Sequence, residues 1–280
     1  MPVTLYQIDA FADAPFAGNP AAVCLLDGAA TEPWMRSVAA EMNLSETAFV
    51  SPRDDGFDLR WFTPTTEVKL CGHATLAASH AVWESGGLGP EETIRFHTAS
   101  GVLPARRRGD LIELDFPAIA TVEAEAPGEA LAALGIAPSR VERTADTERH
   151  EASFLFELRS PEGVAAVRPD FRRLEREGAS GFIVTARATK EDHDYVARFF
   201  APGFGIDEDP VTGSAHALLG PYWGARLGKT DLAGYQASAR GGFVHVRLAG
   251  DRALPAGRAV TVSVGRLVVP MDAATRDRSP

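Results

Sequence analysis

Arg60-Trp61-Phe62-Thr63-Pro64, running into Glu67-Val68-Lys69-Leu70-Cys71-Gly72-His73-Ala74, decides how this chain of 280 residues is read. It recurs as Arg198-Phe199-Phe200-Ala201-Pro202, running into Glu208-Asp209-Pro210-Val211-Thr212-Gly213-Ser214-Ala215. The two arginines lie 138 residues apart, and Cys71 and Thr212 lie 141 apart, so the second copy carries three extra loop residues. In that register Phe62 meets Phe200, Glu67 meets Glu208, Gly72 meets Gly213 and Ala74 meets Ala215. Two copies half a chain apart predict two similar domains, with a cleft between them as the natural binding place. The copies differ at Cys71 against Thr212 and at His73 against Ser214, where chemistry would sit.

Each copy reads as a strand, a loop and a helix that starts at glycine. His73 to Trp83 contains no Asp, Glu, Lys or Arg and is small or apolar around its whole circumference, which marks a helix buried on all sides. The stretch from Ala215 to Trp223 behaves alike, with Pro221 expected to bend or interrupt it. Strand patterns surround both helices, at Val3–Phe11, Val23–Leu26, Phe57–Phe62, Thr93–Phe96, Gly101–Pro104 and Leu111–Phe116 in the first half. In the second half they fall at Ala152–Leu158, Gly181–Thr185, Tyr195–Phe200, Phe243–Leu248 and Ala259–Val264. An amphipathic helix follows Thr31 and exits at Asn43. The expected architecture is α+β, a central helix wrapped by strands and built twice, in domains spanning 1–120 and 129–271, with the C-terminal tail free to return to the first. Residues 120–128 read as the linker and 272–280 as a polar, frayed tail.

The first amides of a helix lack internal partners and sit at the positive end of its dipole. Gly72-His73 and Gly213-Ser214 therefore offer two anion-binding ends, and glycine lets a ligand approach the backbone. A carboxylate held there has its charge partly neutralised, which eases loss of a proton from the adjacent carbon. The competing reading is that both glycines only permit tight packing. His73 follows the first glycine, and a helix N-terminus should keep its ring neutral; a hydrogen-bonded core histidine is the plainer alternative, and His216 is its closest rival. Asp209 and Ser214 flank the second helix start, where acid and hydroxyl groups also serve as caps. Glu46 stands between the amphipathic helix and Phe49-Val50, and a carboxylate against apolar surface can act as general base or acid; a solvated strand-edge glutamate is the alternative.

Other classes find little support. A net charge of −10 argues against general nucleic-acid binding. Cys24 and Cys71 form no disulfide framework, and Cys71 with His73 alone is too few ligands for a metal site. No nucleophile elbow or dinucleotide fingerprint is present. Neither a signal peptide nor a membrane span is expected, so cytoplasm is the default compartment.

At IDAFADAPFAGNPAAV, NLSETAFV, LRWFTPTTEVKLCGHATLA, RFFAPGFGIDEDPVTGSAHA and ARGGFVHV, from residue 8 to about 246, the chain closely resembles the PhzF-like family of phenazine-biosynthesis isomerases. The resemblance implies the diaminopimelate-epimerase-like fold and a homodimeric enzyme without cofactor or metal, binding a small carboxylate between its domains. It implies that Glu46 transfers the proton, that His73, Asp209 and Ser214 serve the site, and that the backbone of Gly72-His73 and Gly213-Ser214 holds the substrate carboxylate. The superfamily's two-base racemases carry a cysteine at each helix start; Thr212 stands at the second one here, which disfavours two-thiol racemisation. The implied activity is an allylic proton shift resembling that of trans-2,3-dihydro-3-hydroxyanthranilate isomerase, with an amino-acid racemase or epimerase and a non-catalytic carboxylate-binding protein as the alternatives.

Overall fold

In the computed structural model, which describes residues 3–271, the chain divides into two compact units, one formed by residues 1–114 with 257–280 and the other by 115–256. The first unit runs β1 (Val3–Ala10), β2 (Asn19–Leu25), α1 (Glu32–Met42), β3 (Glu46–Arg53), β4 (Gly56–Phe62), β5 (Glu67–Val68), α2 (Gly72–Glu84), β6 (Ile94–Thr98), β7 (Gly101–Arg108) and β8 (Leu111–Leu114). The second begins with β9 (Phe116–Pro117), β10 (Thr121–Glu123), α3 (Ala130–Leu134), β11 (Arg140–Thr144) and β12 (Ser153–Glu157). It continues with α4 (Pro161–Ala166), α5 (Phe171–Glu175), β13 (Gly181–Arg187), β14 (Tyr195–Ala201), β15 (Ile206–Asp209), α6 (Gly213–Leu227), β16 (Asp231–Gln236), β17 (Gly242–Ala249) and β18 (Arg252–Gly257). The last strand, β19 (Ala259–Leu267), pairs antiparallel with β1 in the first unit.

The repeat is topological as well as sequential. In the first unit β1 pairs antiparallel with β2, β2 parallel with β3, β3 antiparallel with β4, β4 parallel with β6, and β6 and β7 antiparallel with β7 and β8. In the second, β11, β12, β13, β14, β16, β17 and β18 repeat those pairings in the same order and sense. β5 and β15 are short antiparallel additions to β4 and β14, each placed just before a central helix. The match extends to the outer edges, where β19 lies on β1 and β10 lies on β11.

This pairing moves the boundaries read from the sequence. Residues 259–267 close the first unit because β19 completes the sheet beside β1, whereas 115–120 belong to the second. The stretch 120–128 is no free linker: Thr121–Glu123 forms an edge strand on β11. The tail 272–280 lies outside the described residues.

Within the first unit α2 touches β1, β2, β3, β8 and β19, strands from the middle and both ends of one sheet, so the sheet curls around it. Eleven of its residues are buried, as a charge-free helix requires. Its internal hydroxyls are satisfied locally, Thr75 Oγ1 bonding the Cys71 carbonyl and Ser79 Oγ that of Thr75 at 2.8 Å. The amphipathic α1 covers the outer face with Trp34, Met35, Val38 and Ala39, and Phe49 meets Trp34 and Phe62 edge-on.

In the second unit both faces of β12–β14 are covered. Leu155, Ile183, Tyr195, Ala197 and Phe199 pack with α6, while the alternate residues Phe156, Phe182, Val184, Val196 and Phe200 pack with α3, α4 and α5. Double burial explains why β14 is apolar at nearly every position. Of the two outcomes expected at Pro221, a bend or an interruption, the interruption does not occur: α6 continues through it. A proline lacks the N–H that would bond the carbonyl four residues back, and that carbonyl, on Ala217, accepts the Ile119 amide instead at 3.0 Å.

Candidate active site

The site residues of the first unit converge. Glu46 opens β3, directly beside Ala21 of the parallel strand β2, and is 8% exposed. His73 stands one residue into α2 and is 4% exposed. Its Nε2 lies 3.2 Å from Glu46 Oε2 and its Nδ1 lies 3.5 Å from Cys71 Sγ. The strand-edge alternative for Glu46 therefore fails, because β2, β3 and the start of α2 enclose it. The Nε2–Oε2 approach is close but poorly aligned, and among the described residues neither atom completes a hydrogen bond. Two buried polar atoms left unsatisfied side by side mark a place where a ligand can complete the geometry.

Electrostatics correct one expectation. Burial pushes the His73 pKa down, but the adjoining Glu46 carboxylate and the contact with Cys71 outweigh this and hold it well above the ordinary histidine value. The ring is thus not kept neutral by its helix. Burial, reinforced by the Glu46 charge, pushes the Cys71 thiol pKa up, so the sulfur keeps its proton.

Cys71 and Thr212 are the N-cap residues of α2 and α6, both extended, and neither side chain caps its helix. The first intrahelical amide bonds come at Thr75 and His216, which receive support from the Cys71 and Thr212 carbonyls. The backbone amides of Gly72-His73 and Gly213-Ser214 precede these bonds, and both glycines are buried.

In the second unit Asp209 ends β15 opposite Phe199 of β14 and is 7% exposed. Thr212 Oγ1 donates to Asp209 Oδ2, so the aspartate is tied to the residue that starts α6. Ser214 is half-buried and does not cap the helix. His216, the rival histidine, is a core residue: its Nδ1 meets the Tyr195 hydroxyl at 2.8 Å, and burial pushes its pKa down to about 3.

Gln236 was not singled out by the sequence. From β16 its Oε1 accepts the Thr212 amide at 2.9 Å, while its Nε2 donates to the Asp209 carbonyl at 2.7 Å and to Thr212 Oγ1 at 3.2 Å. Only the parallel pairing of β14 with β16 brings it there. No local motif announces that, although an amide side chain in an otherwise half-apolar strand is a weak signal.

The repeated arginine and glutamate have a common purpose. Arg60 grips Glu67 through Nε and Nη2, both at 2.7 Å, and lies 5.1 Å from the Phe62 ring centre. Arg198 grips Glu208 at 2.7 and 2.8 Å and lies 4.9 Å from that of Phe200. Each bidentate pair fastens the loop before a central helix to the preceding strand, with planar, two-point geometry that lysine could not supply.

Glu46, Cys71 and His73 also bring their donor atoms within 4.8 Å of one another, close enough to consider a shared ion. As arranged, however, the imidazole presents opposite nitrogens to the other two, and a common ion would require it to give up one of them.

Two topologically equivalent α+β units, each with a sheet curled around a helix, define the diaminopimelate-epimerase type of fold. The chain belongs to the family described as phenazine biosynthesis-like protein, whose model matches residues 8–265. It is 46% identical over 270 residues to an uncharacterized isomerase of Halalkalibacterium halodurans, covering 96% of this chain and 100% of that one. A crystal structure of a PhzF-family phenazine biosynthesis protein from Enterococcus faecalis superposes with a TM-score of 0.89 at 39% identity, over 96% of this chain and 100% of that one. A hydroxyproline epimerase from Agrobacterium vitis, solved with bound trans-4-hydroxy-L-proline, shares the fold alone, with a TM-score of 0.59 at 13% identity over 95% and 92%. No helix among the described residues is long and apolar enough to cross a membrane.

Proposed function

We propose that this protein is an isomerase that shifts a proton on a small unsaturated or amino carboxylate, with Glu46 as the group that removes and returns it. The observation carrying this reading is the buried approach of Glu46 Oε2 to His73 Nε2, beside uncapped helix amides. In this reading the amides of Gly72-His73 and Gly213-Ser214 take the substrate carboxylate and soften the charge that builds as the neighbouring carbon loses its proton. Glu46 accepts the proton, and His73 lies close enough to steady the carboxylate or exchange a proton with it. Asp209 and Ser214 position the substrate, with Thr212 and Gln236 holding the aspartate's loop. A buried carboxylate that takes a proton from one carbon, exchanges it with solvent between turnovers and delivers a proton to another carbon gives an allylic shift, similar to the isomerisation of trans-2,3-dihydro-3-hydroxyanthranilate. Thr212, in the place equivalent to Cys71, supplies no second thiol for racemisation. The working form is proposed to be a homodimer in the cytoplasm, which sedimentation and fractionation test.

The decisive experiment is a mass-spectrometric screen of metabolites in D₂O for uptake of deuterium. The wild-type protein is expected to label at least one small carboxylate. Glu46→Gln, which keeps the shape and removes the base, is expected to abolish labelling without changing the thermal unfolding midpoint. Unchanged labelling by that variant removes Glu46 as the base. Inversion of an amino-acid centre in the same incubations favours the epimerase reading.

A further inference from the structure

We propose that Cys71 is a positioning residue for the Glu46–His73 pair, its sulfur holding the imidazole by Nδ1 so that Nε2 faces the carboxylate. This rests on the reading of that pair as the acid–base centre, but its own evidence is separate. Cys71 occupies the N-cap position of α2, where its sulfur faces the Ala74 amide without completing a capping bond. Its Sγ lies 3.5 Å from His73 Nδ1 instead.

A histidine ring has two polar handles. Nε2 completes no hydrogen bond among the described residues despite lying 3.2 Å from Glu46 Oε2, so the contact to sulfur is the directional restraint on the ring. That restraint persists in either charge state, since a thiol donates to a neutral ring and a protonated ring donates to sulfur. In both cases Nε2 carries hydrogen, and it lies 3.2 Å from Glu46 Oε2.

The second unit repeats the device with different chemistry. Thr212, the equivalent N-cap residue, also leaves its helix uncapped and turns its hydroxyl to Asp209. In each unit the residue at the helix start thus reaches a candidate site side chain.

The test is ¹⁵N NMR of the full chain labelled at histidine, with His73 assigned by the signal missing from His73→Gln. In the wild type at neutral pH, His73 Nε2 is expected at the position of a fully protonated ring nitrogen. Cys71→Ala is expected to shift it toward the unprotonated position as the ring gains a second orientation or tautomer. Cys71→Ser, whose hydroxyl can donate or accept, is expected to restore the wild-type spectrum. Where the alanine protein does not fold, the serine protein decides alone, a wild-type His73 spectrum supporting the proposal and a shifted one overturning it. Wild-type nitrogen shifts in Cys71→Ala also overturn it, because the ring is then held without sulfur. These spectra need no substrate, so a negative deuterium screen would count against the proposed reaction and leave the positioning result standing.

Discussion

Two histidines in equally buried surroundings behave oppositely because of what lies within reach of their nitrogens. His73 faces a carboxylate and a sulfur, which raise its pKa, whereas His216 faces a tyrosine hydroxyl, and burial drives its pKa down to about 3. The consequence for stability follows from proton counting. Below about pH 6.5 an unfolded imidazole takes up a proton that folded His216 refuses until about pH 3, so the unfolded state binds more protons in this window. Stability contributed by neutral His216 is therefore present above the unfolded value and is lost as the pH falls. His73 has the opposite sign: its contribution is full below the unfolded value and declines as the pH rises through its raised folded pKa. We expect His216→Gln, which cannot titrate but can still bond Tyr195, to flatten the acid side of the stability curve. Between pH 6 and 4 the wild type should lose about 1.4 kcal/mol more per pH unit, the worth of one proton. Urea unfolding checks this, and parallel curves refute it. Sequence context nominated both Glu46 and His73 but not their direct approach, since residues 27 positions apart meet only when β3 and the start of α2 are packed.

At the scale of elements, the central helices were readable because a charge-free helix has nowhere to go but inside. Their detailed fit was not. Gly220 and Gly224 lie one turn apart on α6, and a Cβ built on Gly220 would come 2.6 Å from Val246 Cγ1 and 3.4 Å from Leu248 Cδ2. Alanine would gain about 1 kcal/mol of helix propensity at such a position. Forcing a methyl against the buried, branched Val246 of β17 costs about 1–3 kcal/mol, and that term should win. Gly220→Ala is therefore expected to lower stability by up to about 2 kcal/mol in chemical denaturation, the difference of those two terms. An increase would show that β17 yields. Pro221 teaches the same lesson from the other side. The sequence rule anticipates a bend or an interruption there; the helix continues, and Ile119, distant in sequence, satisfies the carbonyl that proline strands.

For the whole molecule, duplication provides an internal comparison: the same arginine–glutamate brace occurs twice at different depths. Arg198 and Glu208 are 10% and 20% exposed, while Arg60 and Glu67 are 38% and 30% exposed. Arg198 also bonds the Val167 carbonyl at 2.8 Å. Removing the guanidinium strands a partly buried carboxylate in the second unit, whereas solvent and salt screen it in the first. We expect Arg198→Leu to cost about 2–4 kcal/mol, and Arg60→Leu to cost less than about 1 kcal/mol, as read by denaturation. Equal losses would show that burial does not differentiate the braces. The sequence by itself determined that there are two copies, that each centres on a buried helix beginning at glycine, and which residue types stand at those beginnings. These are written in local spacing, because periodicity and turn chemistry act over a few residues. Tertiary structure alone decided that β19 closes the first unit, that Gln236 secures the Asp209 loop, and that Cys71 and Glu46 flank one imidazole. Such relations depend on strand pairing and side-chain direction between distant segments, and no neighbouring residue encodes either.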